Sequence, residues 1–457
     1  MAYRKVDDAS LASVADAIRS KGSTSDGLVF PEGFVSAISA IQSGGGGAAP
    51  SAKQNDVTFI DYDGSILYSY SLAEAQALTE LPALPSHDGL ICQGWNWTLE
   101  NIKALNRPVT VGAMYITDDG ATRLHIRIAT IGRMTVPLYI GQTVANGVSI
   151  DWGDGSTAET LAGTGYVNTS HTYAEPGDYT ISLMPEDGCT LSLGADPSSY
   201  YCVMGSTGNN SRVYCNMLQK VYIGKNVNSI GFFAFWYCQS LASITIPNGV
   251  TDIGSYTFAY CYSLTSITIP DGVTSTGEGT FAYCYSLTSI TIPDGVTLIG
   301  ESNFSECHSL ASITIPDGVT FIGDYAFESC YSLESITIPD GVTSVGGSIF
   351  GNCCSLTSIA IPDGTNSIVG SAFLGCYSLA SITIPDGTTH VFSNAFKQCY
   401  GMRYYDFSAC TTVPTLVNTN AFDGIPSDCQ MLIPAALYDE WSAATNWATY
   451  ASYMVPV

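Results

Sequence analysis

Cysteine is the residue in this sequence best suited to chemistry, and nine cysteines stand at 215, 238, 261, 284, 307, 330, 353, 376 and 399, each 23 residues after the last. Thiolates bind metals and exchange disulfides, but a metal needs ligands that converge on one point. A constant step sets the thiols on a line instead. Buried packing thiols are therefore expected, with a few neighbouring pairs able to form disulfides. The vicinal pair Cys353-Cys354 breaks the pattern around it and has no assigned role.

A second row is acidic: Asp271, Asp294, Asp317, Asp340, Asp363 and Asp386, with Asn248 at its start. Carboxylates stacked about 5 Å apart repel by about 1 kcal/mol per neighbour in water, which solvent can screen or calcium could bridge. Pro-Asp-Gly is turn chemistry and explains the row without a metal. No cofactor is expected. His87, His125, His171, His308 and His390 are scattered, with no nucleophile motif beside them, and no glycine-rich loop precedes a helix to cradle phosphate. No catalytic or metal-binding residue is assigned, and the expectation is a non-enzymatic protein.

The variable residues flank each repeat cysteine. Gln239, Tyr262, Tyr285, His308, Tyr331, Cys354, Tyr377 and Tyr400 follow it; Tyr237, Tyr260, Tyr283, Glu306, Ser329, Asn352, Gly375 and Gln398 precede it. Core positions repeat closely while these vary and favour aromatics. Tyrosine offers a large contact area at low entropic cost. The candidate ligand-binding set is Tyr237, Tyr260, Tyr262, Tyr283, Tyr285, His308, Tyr331, Tyr377 and Tyr400, against the alternative of a purely structural tyrosine stack.

What positions these residues is the repeat itself. Prolines keep the same step at 247, 270, 293, 316, 339, 362 and 385, and a fixed period in this range means a solenoid whose units bury their apolar faces on one another. In the unit from Phe258 to Gly277, Leu264, Ile267 and Ile269 point inward from a short strand while Ser266 and Thr268 point outward. Pro270 ends the strand, Asp271-Gly272 turns the chain, Val273 is expected to open a second strand, Phe258 plugs the core, and Cys261 follows on a turn. With strands about 4.8 Å apart, nine such units make a rod roughly 40 Å long.

This pattern resembles the BspA-type leucine-rich repeat over about 200 residues. Thr365 and Thr388 depart from it by replacing a valine, and His390 to Phe392 lacks the usual Ile-Gly. The solenoid is expected over 201–410, closed by a C-terminal cap at 411–457, since an open end would expose core and strand edges.

Ahead of the solenoid, the pattern changes three times. Residues 1–42 carry two short amphipathic segments, one with Leu11, Val14, Ala15 and Ile18 and one with Phe34, Val35, Ile38 and Ile41, expected to anchor or oligomerise. Residues 43–55 read as a Gly/Ser/Ala linker. Residues 56–133 read as a small α+β module, with a capping box at Ser71-Leu72-Ala73-Glu74 and two strands between Ala113 and Ala129. Residues 134–200 alternate as an all-β segment. There, Asp151-Trp152-Gly153-Asp154-Gly155 and His171-Thr172-Tyr173 with Pro176-Gly177-Asp178-Tyr179 resemble the PKD-like domain, which implies an immunoglobulin-like β-sandwich. The expected fold is thus mainly β.

Composition bounds the partners. Over 457 residues the net charge is −25 and charged residues make up 12%, which disfavours nucleic acid and anionic membrane, because those partners are held by lysine and arginine. Neither a signal-peptide pattern nor an apolar run of about 18 residues occurs, so no membrane insertion is expected. Leu11 to Gly22, Phe30 to Ile38 and Val57 to Trp97 are similar to segments of tail and baseplate proteins from phages of gut Firmicutes. That resemblance implies a phage tail receptor-binding protein, located in the virion with other phage tail proteins. It would be a homo-oligomer that recognises a host surface protein or glycan through the solenoid's aromatic face. The alternative is a BspA-like adhesin on a bacterial cell surface.

Overall fold

The computed structural model describes residues 56–60, 66–85, 90–95, 99–103, 109–117, 120–194, 201–206, 212–342 and 344–457. The expected anchoring segment 1–42 and linker 43–55 lie outside the described residues. The chain divides into two compact units, Met1–Asp119 and Gly120–Val457.

In the first unit, β1 (Asp56–Ile60), β2 (Ile66–Ser71), β3 (Leu90–Trp95) and β4 (Val109–Thr117) form one sheet in the order β2-β1-β4-β3, with β1 and β4 parallel. Among the described residues, the unit also holds helices α1 (Leu72–Gln76) and α2 (Leu99–Lys103). The capping box forms, Ser71 accepting from the Glu74 backbone and the Glu74 carboxylate accepting from the Ser71 backbone. Val57, Phe59, Ala75 and Ile102 make the small core.

The expected boundary at residue 133 moves to 119. Strand β5 (Thr122–Ile128) pairs antiparallel with β10 (Gly177–Pro185), 51 residues away at the Arg127–Asp178 ion pair, and so belongs to the second unit. That partner is invisible to a local pattern, which sees only one more alternating strand after β4.

The second unit opens as a two-sheet sandwich whose sheets do not stop where the repeat starts. Five strands precede β10 and β11 (Leu191–Leu193): β5, β6 (Thr135–Gln142), β7 (Val148–Asp151), β8 (Glu159–Thr160) and β9 (Gly165–Thr172). The repeat contributes β14 (Leu218–Tyr222), β15 (Val227–Ile230), β16 (Ser243–Thr245) and β17 (Asp252–Ile253), numbered after a short hairpin of β12 (Tyr201–Cys202) and β13 (Gly205–Ser206). One sheet runs β16-β14-β5-β10-β7-β8 and the other β17-β15-β11-β6-β9. Each turns from antiparallel to parallel at its junction with the repeat, at β14 in the first sheet and at β11 in the second. A single core extends from Leu124 to Met454. The sandwich thus covers the strand edges of the first coil, and the expected break at 200–201 is a junction of shared sheets.

Within the sandwich, the paired acids hold a turn. Asp151 accepts from the Gly153 N–H at 2.8 Å and Asp154 from the Ser156 N–H at 3.0 Å. The Ser156 hydroxyl and then His171 hold the Asp154 carboxyl well below the usual carboxylate range. His171 stacks on the buried Trp152 at 5.0 Å, and the Tyr173 hydroxyl donates to the Trp152 carbonyl at 2.8 Å. The motif residues therefore pin one end of the sandwich.

Each coil of the solenoid uses three ladders. Short strands such as Ser266–Thr268 and Ser289–Thr291 pair in parallel with only their central isoleucine buried. The second strand begins later than expected. Val273 is buried in a turn, and pairing occurs instead at positions such as Leu298–Ile299 with Phe321–Ile322. In the third strip, backbone N–H groups reach the next coil directly, as from Tyr325 to Gly347, Phe327 to Ile349 and Ser329 to Gly351. Phe235, Phe258, Phe281, Phe304, Phe327, Phe350, Phe373 and Phe396 stack 5.3 to 5.7 Å apart through the interior. Phe422 continues the row, and Trp441, Trp447 and Tyr450 close it. The expected cap also carries the first ladder onward, Gln430–Ile433 pairing with Tyr404–Asp406 and with Met454–Pro456.

The Ile-Gly glycines answer to coil spacing. A Cβ on Gly277 would lie 2.3 Å from the Ser255 amide nitrogen, and one on Gly346 would lie 2.2 Å from that of Asp324. Val369 and Phe392 occupy the same position in later coils, and the residues that face them in the preceding coil are Gly347 and Gly370. Both facing glycines keep an ordinary φ, and what they remove is the side chain that would crowd the larger residue, so the requirement moves one residue and one coil rather than vanishing.

Thr365, which replaces the valine, is 3% exposed and its hydroxyl has no partner. An unsatisfied buried polar group costs about 1–3 kcal/mol. Thr365→Val is therefore expected to stabilise the protein by about 1 kcal/mol, seen as a raised urea midpoint; an unchanged or lower midpoint would refute that account.

Candidate functional site

The ladder cysteines are buried, and from Cys261 to Cys399 each thiol donates to the carbonyl of the phenylalanine 26 residues earlier at 3.2 to 3.3 Å, as Cys284 does to Phe258. Burial pushes the Cys284 thiol up to about 12, which keeps it protonated. The row is a set of packed, hydrogen-bonded thiols, and among the described residues no three His, Cys, Asp or Glu side chains could hold a metal ion. The aspartates of the Pro-Asp-Gly turns are exposed, one per coil.

The thiols point inward, so the residues on either side of each cysteine are carried to the surface as two parallel aromatic rows. After the cysteine, Tyr262, Tyr285, His308 and Tyr331 stack at 4.6, 4.4 and 4.5 Å. Before it, Tyr260 and Tyr283 stack at 4.4 Å and Tyr237 packs on Tyr260 at 4.9 Å with its ring tilted by 31°. The rows touch edge to face, Tyr260 meeting Tyr262 and Tyr283 meeting Tyr285 at 6.2 Å. In the next coil, His308 and Glu306 replace the two tyrosines and join through a 2.7 Å contact. Burial pushes the Tyr262 phenol up to about 12.

Two features of this face were not legible in the repeat. First, the residue before each cysteine is left-handed, with φ of 63° at Tyr237, 65° at Tyr260 and 61° at Tyr283. That conformation costs a non-glycine residue about 1–2 kcal/mol, and Gly375 occupies the position in a later coil at 71°. Glu306, Ser329, Asn352 and Gln398 share the conformation in their own coils, so it belongs to the coil and sets the angle at which the tyrosines leave it. Second, rings stacked face to face spend their faces on one another and present mainly edges and hydroxyls.

The row is broken once, at Cys354. Tyr331 and Tyr377, on either side, are 42% and 44% exposed, and Tyr400, at the end of the row, is 55% exposed. Two coil rises of about 4.8 Å set the flanking positions roughly 10 Å apart. Cys354 stands there in place of a ring.

The sequence-based set omitted Trp236. It packs on Tyr237 at 4.9 Å and Tyr260 at 6.0 Å, while Phe233 stacks on Tyr256 at 5.5 Å. The run Phe232-Phe233-Ala234-Phe235-Trp236-Tyr237, more aromatic than any later coil, was the available signal.

Residues 206–334 and 298–427 match the model of the BspA type leucine rich repeat region, in six copies. The coils between residues 206 and 427 match the BspA-type repeat. Among solved structures, a T. pallidum leucine rich repeat protein is 24% identical, with 38% of this chain and 82% of that one covered and a TM-score of 0.34. A leucine rich cell surface protein from Faecalibacterium prausnitzii is 26% identical over 60% of this chain and 88% of that one, at 0.28. A leucine-rich repeat protein from Bacteroides ovatus is 22% identical over 63% and 90%, at 0.27. No curated protein matches the chain.

Proposed function

We propose that this chain is a non-enzymatic recognition protein that binds a protein or glycan on a cell surface through the two aromatic rows of its BspA-type solenoid. The observation that carries the reading is the interrupted row. Tyr331 and Tyr377 each stack on a ring on one side only, His308 and Tyr400, with Cys354 between them and 42% and 44% of their surface exposed; exposed aromatic surface is what sugar C–H groups or a partner's aromatic side chains pack against. Tyr237, Tyr260 and Tyr283, in the neighbouring row, supply edges and hydroxyls for polar contacts.

Display on a bacterial surface as a BspA-like adhesin is the placement favoured by the repeat type. A PKD-like assignment of the sandwich, supported by the motifs around Asp151 and His171, agrees with it. The second placement, a phage tail protein anchored through residues 1–42, rests on the resemblance of Leu11 to Ile38 and Val57 to Trp97. Immunodetection in envelope fractions against purified virions separates the two.

For the binding reading, alanine at Tyr262, Tyr285 and Tyr331 together is expected to reduce adsorption to host cells at least tenfold, with Tyr331→Ala plus Tyr377→Ala giving most of that loss. Hot-spot aromatics each account for about 2 kcal/mol or more. Undiminished adsorption with a lowered melting temperature would mean that the stack is structural.

A further inference from the structure

The thiol row begins irregularly. From Cys261 onward each thiol has a phenylalanine carbonyl 26 residues behind it; for Cys215 that position is Cys189, and its sulfur, which also contacts the Cys238 thiol, meets the Sγ of Cys202 2.7 Å away. Non-bonded heavy atoms rest about 3.5–4.0 Å apart. Both side chains are fully enclosed, at 0% and 1% exposure. Cys202 lies in the short hairpin tied down by the Val203 N–H to the Ala234 carbonyl at 2.8 Å and by the Tyr139 N–H to the Val203 carbonyl at 2.9 Å. Cys215 ends the helical turn Arg212–Cys215. Backbone on both sides therefore holds the two sulfurs against each other, with no room for water or a carbonyl between them.

We infer that Cys202 and Cys215 are joined by a disulfide in the mature protein, the one cross-link in an otherwise reduced row. Its formation is a thiol–disulfide exchange with a low-molecular-weight disulfide such as oxidised glutathione. The thiolate of one cysteine attacks the oxidant and releases one small thiol. The second cysteine, its proton lost to solvent, attacks the mixed disulfide and releases the other, so two electrons pass from the protein to the oxidant. In the folded chain burial pushes the Cys202 thiol well above its ordinary value, so exchange belongs to the folding chain, before the hairpin closes. The bond fastens the hairpin to the first turn of the repeat, where sandwich and solenoid share their sheets. It also implies maturation in an oxidising compartment. The inference is independent of the aromatic rows.

The test is to refold the full chain in a glutathione redox buffer, alkylate it under denaturing conditions without reductant, and map the peptides. All but two of the 15 cysteines should take up label, and a peptide containing Cys202 should remain linked to one containing Cys215, about 2 Da lighter than the reduced pair. Reductant should lower the melting temperature of the parent and leave that of a Cys202→Ser, Cys215→Ser variant unmoved. Labelling of every cysteine, or a link from Cys215 to Cys238 instead, would overturn the inference.

Discussion

Gly346→Val is expected to be among the most damaging single substitutions in the solenoid, because the new Cβ would lie 2.2 Å from the Asp324 nitrogen and 2.3 Å from the Gly323 carbonyl carbon. Those are backbone atoms of the adjacent coil, and no rotamer can relieve the contact. Overpacking costs about 1–3 kcal/mol when side chains can yield; here the peptide ladder must yield, so a loss at or above the top of that range is expected in urea denaturation. The protein itself suggests the rescue, since Val369 faces Gly347 and Phe392 faces Gly370. Adding Asp324→Gly to Gly346→Val should recover part of the loss. It does so although it removes the 2.7 Å hydrogen bond from the Gly347 N–H to the Asp324 carboxylate. A double-mutant cycle with no favourable coupling between the two sites would disprove the exchange.

Phe304→Ala is expected to cost about 3–5 kcal/mol. Its ring is 1% exposed and stacks at 5.5 Å on both Phe281 and Phe327. Coils touch only their neighbours, so the defect cannot be shared along the rod. Unfolding should lose cooperativity, and amide exchange should accelerate first in the coils on either side. Phe321→Ala is the control, because that ring is 45% exposed and surface truncations usually fall within about 0.5 kcal/mol. Equal losses at the two phenylalanines would show that the interior row contributes nothing special.

The repeat was legible because a fixed step forces equivalent residues into register, so the roles of Leu264, Ile267, Phe258 and Cys261 could be assigned from one unit. The inward thiols and the outward tyrosines followed from the same register. The second strand was misplaced at Val273 because an isolated valine between turn residues looks the same whether it starts a strand or fills a turn. The boundary at 133 failed for a related reason: the partners of Thr122–Ile128 come from Gly177–Pro185 and from the repeat itself, and strand alternation carries no information about which sheet a strand joins.

Sequence alone determined which side chains line up along the rod, since that depends only on a constant number of residues per coil. How those side chains present themselves was decided by tertiary structure. The left-handed backbone at Tyr237, Tyr260 and Tyr283 and the stacking that covers most ring faces both depend on coil rise and backbone rotation. So does the merging of both sandwich sheets with the first coils. These are distances and angles between segments far apart in the chain, and a one-dimensional period cannot encode them.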